Sequence, residues 1–386
     1  MKHCQTNTGI SVDLYDNVKE LPVEWAAMLP PGHFLEPGQL AVYEQIGLPD
    51  ISFVYALISV DGAPMAVAYF QVLSIRDYHL NTTLLKPFQR AAWKVFTSAA
   101  CPKLLVAGHL FRHDICSFFW VDHQAGLEVF RLYKTAIDNA MKHAHASAVL
   151  VKDVDESLIP YFQNYAPEYL LLRNDISMEM PINNNWQSLK DYEKDLKHKY
   201  AQRLRKVRQP WEKLKVLELT TEETEQHKEI IFALYQQVTD KQQVRLGLLS
   251  KDFLPALKKK YNGSLRIWIA KNGEDVVGFF SAWEHATVFD MFYIGFDYSK
   301  NEEFQLYFNI LFFAIEQAIA SGKEKLILGR TALEAKARLG CKPDYLSTYL
   351  FIRNNMLRGV IGRLQQRVGN DEGEWENRHP FKPNVT

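Results

Sequence analysis

ISFVYALISVDGAPMAVAYFQVLSI, residues 51–75, is two apolar runs joined through Asp61-Gly62. An Asp-Gly pair between apolar runs favours positive φ at a tight turn, so the stretch predicts a β-hairpin. The second half of the chain repeats the pattern: LRIWIA at residues 265–270, then Asn272-Gly273, then VVGFFSAW at 276–283. Side by side, Ile58 falls on Ile269, Asp61 on Asn272, Gly62 on Gly273 and Tyr69 on Phe280.

The match continues past the hairpin. DICSFFWVD (114–122) pairs with DMFYIGFD (290–297), each a strand bounded by acids such as Asp114, Asp122 and Asp290. A helix is expected next in both halves. Leu127, Phe130, Tyr133, Ile137 and Met141 make one apolar face, and Phe304, Phe308, Leu311, Ile315 and Ile319 make the other. Each helix leads to a short buried strand, AVLVKD (148–153) and KLILG (325–329). Two independent α/β domains would also alternate this way, but the shared turn and near-equal spacing favour one α/β unit written twice. PINNNWQS (181–188) reads as a linker. The expected domains are 1–184 and 185–357, the second carrying a basic helix over 189–213, followed by a tail over 358–386 whose end, NDEGEWENRHPFKPNVT, reads as irregular surface chain.

Composition narrows the function classes. At 386 residues the chain is too long for one ordinary core, and 47% apolar content excludes wholesale disorder. Lys plus Arg equals Asp plus Glu at 45 each, so any polyanion binding must be local. Cys4, Cys101, Cys116 and Cys341 are scattered without metal-ligand spacing and read as reduced thiols. His143 and His145 are two apart, which does not place them on one helical face for a metal. The first residues lack the apolar core of a signal peptide, and the most apolar run, at 304–320, is broken by Gln305, Asn309, Glu316 and Gln317. A cytoplasmic protein with no transmembrane segment, no DNA-reading module and no metal is the expectation.

Hairpin, strand, helix and further strand is the order of the GNAT acetyltransferase fold. Two such units joined by a basic helical segment resemble the Fem aminoacyltransferases, and most closely the predicted N-acyltransferases grouped with peptidoglycan biosynthesis. The helix start EFQLYFNI (303–310) and the segment GRTALEAKARLGCKP (329–343), with Gly329, Glu334, Lys336, Gly340 and Pro343, carry the resemblance. Gln305 stands where that group usually has an acid. The resemblance implies an α/β fold of two tandem GNAT-like domains, each a mixed, mostly antiparallel sheet flanked by helices. It also implies an N-acyltransferase acting on an amine, as a small molecule or cell-wall precursor, with acyl-CoA or aminoacyl-tRNA as donor and no tightly bound cofactor. Acyl-CoA-dependent acetylation and a non-catalytic scaffold are the alternatives.

Ordinary acetyltransferases of this fold cradle a pyrophosphate in a Q/R-x-x-G-x-G/A loop at a helix N-terminus. Neither half has it: the corresponding stretches are DHQAGLEVF and DYSKNEEFQ, and Glu302 and Glu303 would repel a pyrophosphate. Acyl transfer needs a deprotonated amine, oxyanion stabilisation and a proton for the leaving group. Tyr293 is the candidate acid and Asp290 a candidate base, though strand alternation sets them on opposite faces unless a bulge intervenes. Arg330 could bind a carboxylate or phosphate, or simply pair with Glu334 one turn away, with Thr331 as N-cap. Glu334 could take the amine proton and Lys336 could fix an anionic donor or the oxyanion. Tyr307 and Gln305 are candidate cleft residues. In LKHKYAQRLRKVRQPW (196–211), Leu196, Tyr200, Leu204, Val207 and Trp211 make a packing stripe. Lys199, Arg203 and Lys206 make a basic stripe, either a solvated face or a wall for a tRNA-borne substrate.

Overall fold

The computed structural model describes residues 2–5, 9–84, 86–113, 115–121, 126–172, 175–368 and 378–383. Asp114 and Asp122, expected to bound a strand, and most of the 370–386 tail lie outside the described residues.

Among the described residues, sixteen strands follow one another along the chain. The first eight are β1 (Lys2–Gln5), β2 (Ile10–Tyr15), β3 (Ile51–Val60), β4 (Ala63–Ser74), β5 (Lys103–Ala107), β6 (Phe118–Trp120), β7 (Ala148–Val151) and β8 (Leu170–Leu172). The others are β9 (Ile176–Pro181), β10 (Lys215–Glu218), β11 (Leu265–Asn272), β12 (Asp275–Glu284), β13 (Val288–Phe296), β14 (Lys325–Gly329), β15 (Lys342–Tyr345) and β16 (Thr348–Ile352).

Two compact units result, and each is α/β with a mixed, mostly antiparallel sheet, the tandem GNAT architecture. In the first the strands run β1-β2-β3-β4-β5-β7-β16-β8, with β6 also on β4. Helix Leu127–His143 buries Phe130, Tyr133, Ile137 and Met141 against this sheet. In the second the order is β10-β11-β12-β13-β14-β9-β15. Helix Leu306–Ala320 covers one face with Ile310, Leu311, Ile315 and Ile319, joined by Ala201, Leu204, Val207 and Trp211 of helix His198–Trp211.

The strand that completes each sheet comes from elsewhere in the chain. β9, which follows β8, lies between β14 and β15 in the second sheet, and β16, which follows β15, lies between β7 and β8 in the first. Residues 175–184 therefore build the second unit and residues 346–357 the first, each on the other side of the boundaries read from the sequence.

The hairpins also differ from the sequence pairing. In the first, Asp61 (φ 49) and Gly62 (φ 83) form the two-residue loop, closed by Val60 opposite Ala63. In the second, Asn272 is still paired, with Asp275, and the loop is Gly273 (φ 60) and Glu274. A glycine leading a two-residue loop is the other favoured hairpin solution, and only glycine enters positive φ there without strain. The second loop thus starts one residue later than the sequence pairing has it, and Tyr69 corresponds to Ser281 rather than Phe280. The β3/β4 and β11/β12 bulges, at Ile58/Ser59 and Ala270/Lys271, follow the same offset.

The fourth strand of the unit is continuous in one copy and split in the other. β13 pairs with β12 along most of its length, while in the first unit β5 and β6 share that role on β4, with Phe70 opposite Ala107 and Ala68 opposite Phe118. Of the described residues between 115 and 121, Phe118–Trp120 are strand. The parallel partner of β7 is β5, as the start of β13 is of β14.

Candidate functional site

The fork between β13 and β14 is where the second unit brings chemistry together. The two strands pair in parallel only from Val288 to Asp290, against Lys325 to Ile327. Past Asp290 the ladder stops, and a bulge sets Phe292 and Tyr293 opposite the single residue Ser281. The Ser281 side chain fills that bulge: its hydroxyl donates to Tyr293 O at 2.9 Å and accepts from Tyr293 N–H at 3.0 Å. This is the bulge that alternation required. Asp290 lies opposite Trp283 in register. Tyr293 contacts the rings of Tyr235, Phe253 and Phe292, and Phe292 contacts Trp283. Asp290 and Tyr293 therefore share one face of the sheet, the one lined by helices Lys228–Thr239 and Phe253–Lys260. Asp290 is buried, at 3% exposure.

The segment after β14 brings in the other candidates. Arg330 Nη1 reaches both carboxylate oxygens of Asp175, at 3.0 and 2.9 Å. Its predicted pairing with Glu334 does not form, because Glu334 is exposed and held by Arg338 and Arg378. Arg338 and Arg378 keep the Glu334 carboxyl below its usual range, which makes it a poor base near neutrality. Thr331 is not the N-cap either: Ala332, at φ 52, precedes the short helix Leu333–Ala337. Lys336, inside that helix, is buried at 3% exposure, and its ammonium donates to Gly329 O at 3.2 Å. Burial pushes Lys336 down to about 8, and the same burial pushes its neighbour Cys341 up to about 12.

Tyr307 interacts with Cys341 as well, and burial raises its phenol well above the usual value. Its hydroxyl is buried without a hydrogen-bond partner among the described residues. The Tyr307 N–H, at the start of helix Leu306–Ala320, donates to Asn301 Oδ1 at 3.0 Å. Asn301 belongs to helix Tyr298–Phe304, whose Asp297 cap and Gln305 (φ 49) bracket the place of the pyrophosphate loop. Gln305 bonds back to Glu302 O at 3.0 Å. One of the N–H donors in the first turn of that helix is thus used within the protein. The first-copy equivalent, residues 122–125, lies outside the described residues.

The basic segment is two helices, Leu189–Asp195 and His198–Trp211, with Leu196 capping the first and not opening the second. Arg205 pairs with Glu193 at 2.6 Å and Arg208 with Glu316 at 3.0 Å. Lys199, Arg203 and Lys206 make no ion pair among the described residues. Lys199 lies over the Tyr200 ring at 5.0 Å and Arg203 over Phe308 at 4.7 Å. Arg203 also flanks a crevice with Arg338, Tyr192, Phe312 and Leu339. The tail is not simply surface chain, since Pro380 is buried and Phe381 packs where a Gly340 Cβ would lie 2.3 Å from its ring. Gly340, at φ 101, is required there twice over.

Tyr307, Lys336 and Arg203 therefore gather on the side of helix Leu306–Ala320, and Asp290 and Tyr293 lie on the other face of the sheet, near where the β13–β14 pairing ends. Sequence reasoning missed Asp175, Ser281, Asn301 and Arg338. Their signals are distance in the chain and a one-residue bulge, neither visible as a motif. Among the described residues no cluster of side chains could hold a metal ion.

A family model described as FemAB-like, peptidoglycan biosynthesis/recognition, matches residues 102–383. The chain belongs to the FemAB-like family. The FemAB-like chain also resembles solved structures. The crystal structure of FemX is 10% identical with a TM-score of 0.50, covering 88% of this chain and 98% of that one. A tandem GNAT protein from the clavulanic acid biosynthesis pathway is 9% identical with a TM-score of 0.50, covering 89% and 99%. At such identity these likenesses establish the fold alone. No curated protein sequence matches.

Proposed function

We propose that this FemAB-like protein transfers an acyl or aminoacyl group to an amine of a cell-wall precursor, with the chemistry at the β13–β14 fork of the second unit. The observation that carries the reading is Lys336, a buried lysine at about 8 whose ammonium sits at the end of β14. A cation held in low dielectric stabilises a developing oxyanion far better than one in water. Asp290 would receive the amine proton and Tyr293 would supply one to the leaving group, with the acceptor passing between the strands beyond Asp290, where their pairing ends, to meet the donor held at Lys336. Arg330 would steer an anionic substrate group in exchange with Asp175. Glu334 is retained as a charge that orients Arg338 and not as the base.

The donor is an aminoacyl-tRNA in this proposal. Asn301 occupies one of the helix N–H groups that a coenzyme A pyrophosphate would use, and Lys199, Arg203 and Lys206, without an ion pair among the described residues, form a basic stripe suited to a tRNA backbone. The test is thermal shift with coenzyme A, acyl-CoAs and aminoacylated tRNA. A donor at 100 times its dissociation constant stabilises the fold by about 2.7 kcal/mol. Stabilisation by acyl-CoA alone would overturn the donor, and silence with every donor would make the protein a scaffold. Lys336→Met should lower turnover ~10²–10³-fold, the usual cost of one oxyanion donor. Wild-type turnover should fall as pH rises through about 8, where Lys336 loses its charge.

A further inference from the structure

Helix Pro87–Ala100 of the first unit is turned inside out. Phe88, Ala91, Ala92, Val95, Phe96 and Ala99 recur at helical spacing and make one apolar face. That face points to solvent: Phe88 is 69% exposed, Val95 66% and Phe96 48%. The opposite side is the one that docks. Trp93 Nε1 donates to Asp77 O at 3.0 Å, Arg90 Nε donates to Thr82 O at 3.3 Å, and Thr97 is buried. An amphipathic helix that packs through its polar side leaves its apolar side for something outside the chain.

Charge says what that is. From Tyr78 to His113 the chain has no Asp or Glu, yet it carries Lys86, Arg90, Lys94, Lys103 and Arg112 in a protein whose charges balance over the whole chain. Lys86 and Lys94 are exposed at the flanks of the helix, and Trp93 is half-buried. Two copies meeting through this face would bring cations against cations with no acid on the helix to offset them. An anionic bilayer offers both an apolar layer and the opposite charge, and cationic helices with aromatic apolar faces lie in that interface.

We infer that helix Pro87–Ala100 is a membrane-surface anchor that seats the protein on anionic lipid without spanning it. Among the described residues no helix is long and apolar enough to cross a membrane. The inference does not depend on the proposed chemistry.

Flotation of the full chain with vesicles tests it, comparing phosphatidylglycerol mixed with phosphatidylcholine against phosphatidylcholine alone. Binding to the anionic vesicles is expected, falling at least ~10-fold on neutral ones and declining with salt. Phe88→Ser, Val95→Ser and Phe96→Ser combined should abolish flotation with an unchanged circular dichroism spectrum, because those side chains touch solvent. Lys86→Gln with Lys94→Gln should weaken binding ~25-fold, about five-fold per cation, and serves as the independent variant if the triple one misfolds. Wild-type protein that stays with the pellet, or variants that float as it does, would overturn the anchor. A wild-type dimer that becomes a monomer in the triple variant, without vesicle binding, would assign the face to a second copy instead.

Discussion

Lys336 shows how one residue trades stability for chemistry. Its folded value is about 8 against 10.5 for an ordinary lysine, so between those pH values the unfolded chain holds a proton that the folded chain does not. Stability therefore rises with pH across that window, and the penalty of burying the ammonium is fully present below it. The shift corresponds to roughly 3 kcal/mol. Urea unfolding at pH 7 and near pH 10 should show Lys336→Met more stable than the wild type at the lower pH and the gap closing at the higher, since the buried Cys341 and Tyr307 affect both proteins alike. At neutral pH that variant should be the more stable protein, by roughly 2–3 kcal/mol, even though it is expected to be the less active one. Equal stability of the two at pH 7 would mean the lysine is hydrated, removing the basis for its assigned role. The residue type and its place in GRTALEAK were legible in the sequence. Its burial was not, because a lysine on a five-residue helix reads as surface until the chain on either side is folded around it.

At the scale of elements, the bulge in β13 decides what the fork contains. Two residues against one turn Tyr293 onto the face of Asp290, and Ser281 satisfies both backbone groups that the missing ladder would leave open. Ser281→Ala should cost about 1–3 kcal/mol by leaving those groups without their partner. Thermal unfolding checks the loss, and an unchanged midpoint would show that the bulge is held by packing alone. The hairpins themselves were readable from Asp61-Gly62 and Asn272-Gly273. The one-residue offset between them was not, since either turn type suits the same glycine and the choice lies in strand twist. That offset is why the sequence set Tyr69 against Phe280 when the folded chain sets it against Ser281.

On the scale of the molecule, the reciprocal use of β9 and β16 is the main consequence. A fragment ending at residue 184 retains most of the first sheet but lacks β16, leaving β7 and β8 without the strand between them. Unpaired strand edges are costly and prone to association. The fragment 1–184 expressed alone is therefore expected to aggregate or remain unfolded, and the fragment 185–386, deprived of β9, likewise. Coexpression of the two should restore soluble protein, because each missing strand is carried by the other fragment on the same neighbour that holds it in the uncut chain. A soluble, cooperatively melting 1–184 fragment by calorimetry would contradict this.

Local chemistry was enough to read the repeated hairpin, the apolar faces of the paired helices, the absent phosphate loop and the residue types at the GRTALEAK segment, because each depends on neighbours within a few turns of chain. Tertiary structure alone decided that Arg330 meets Asp175, that Asn301 takes the helix N–H, that Phe381 covers Gly340 and that each sheet is completed from a distant strand. Those outcomes depend on contacts between residues far apart in the chain, whose entropy of closure is recovered only when the whole sheet assembles.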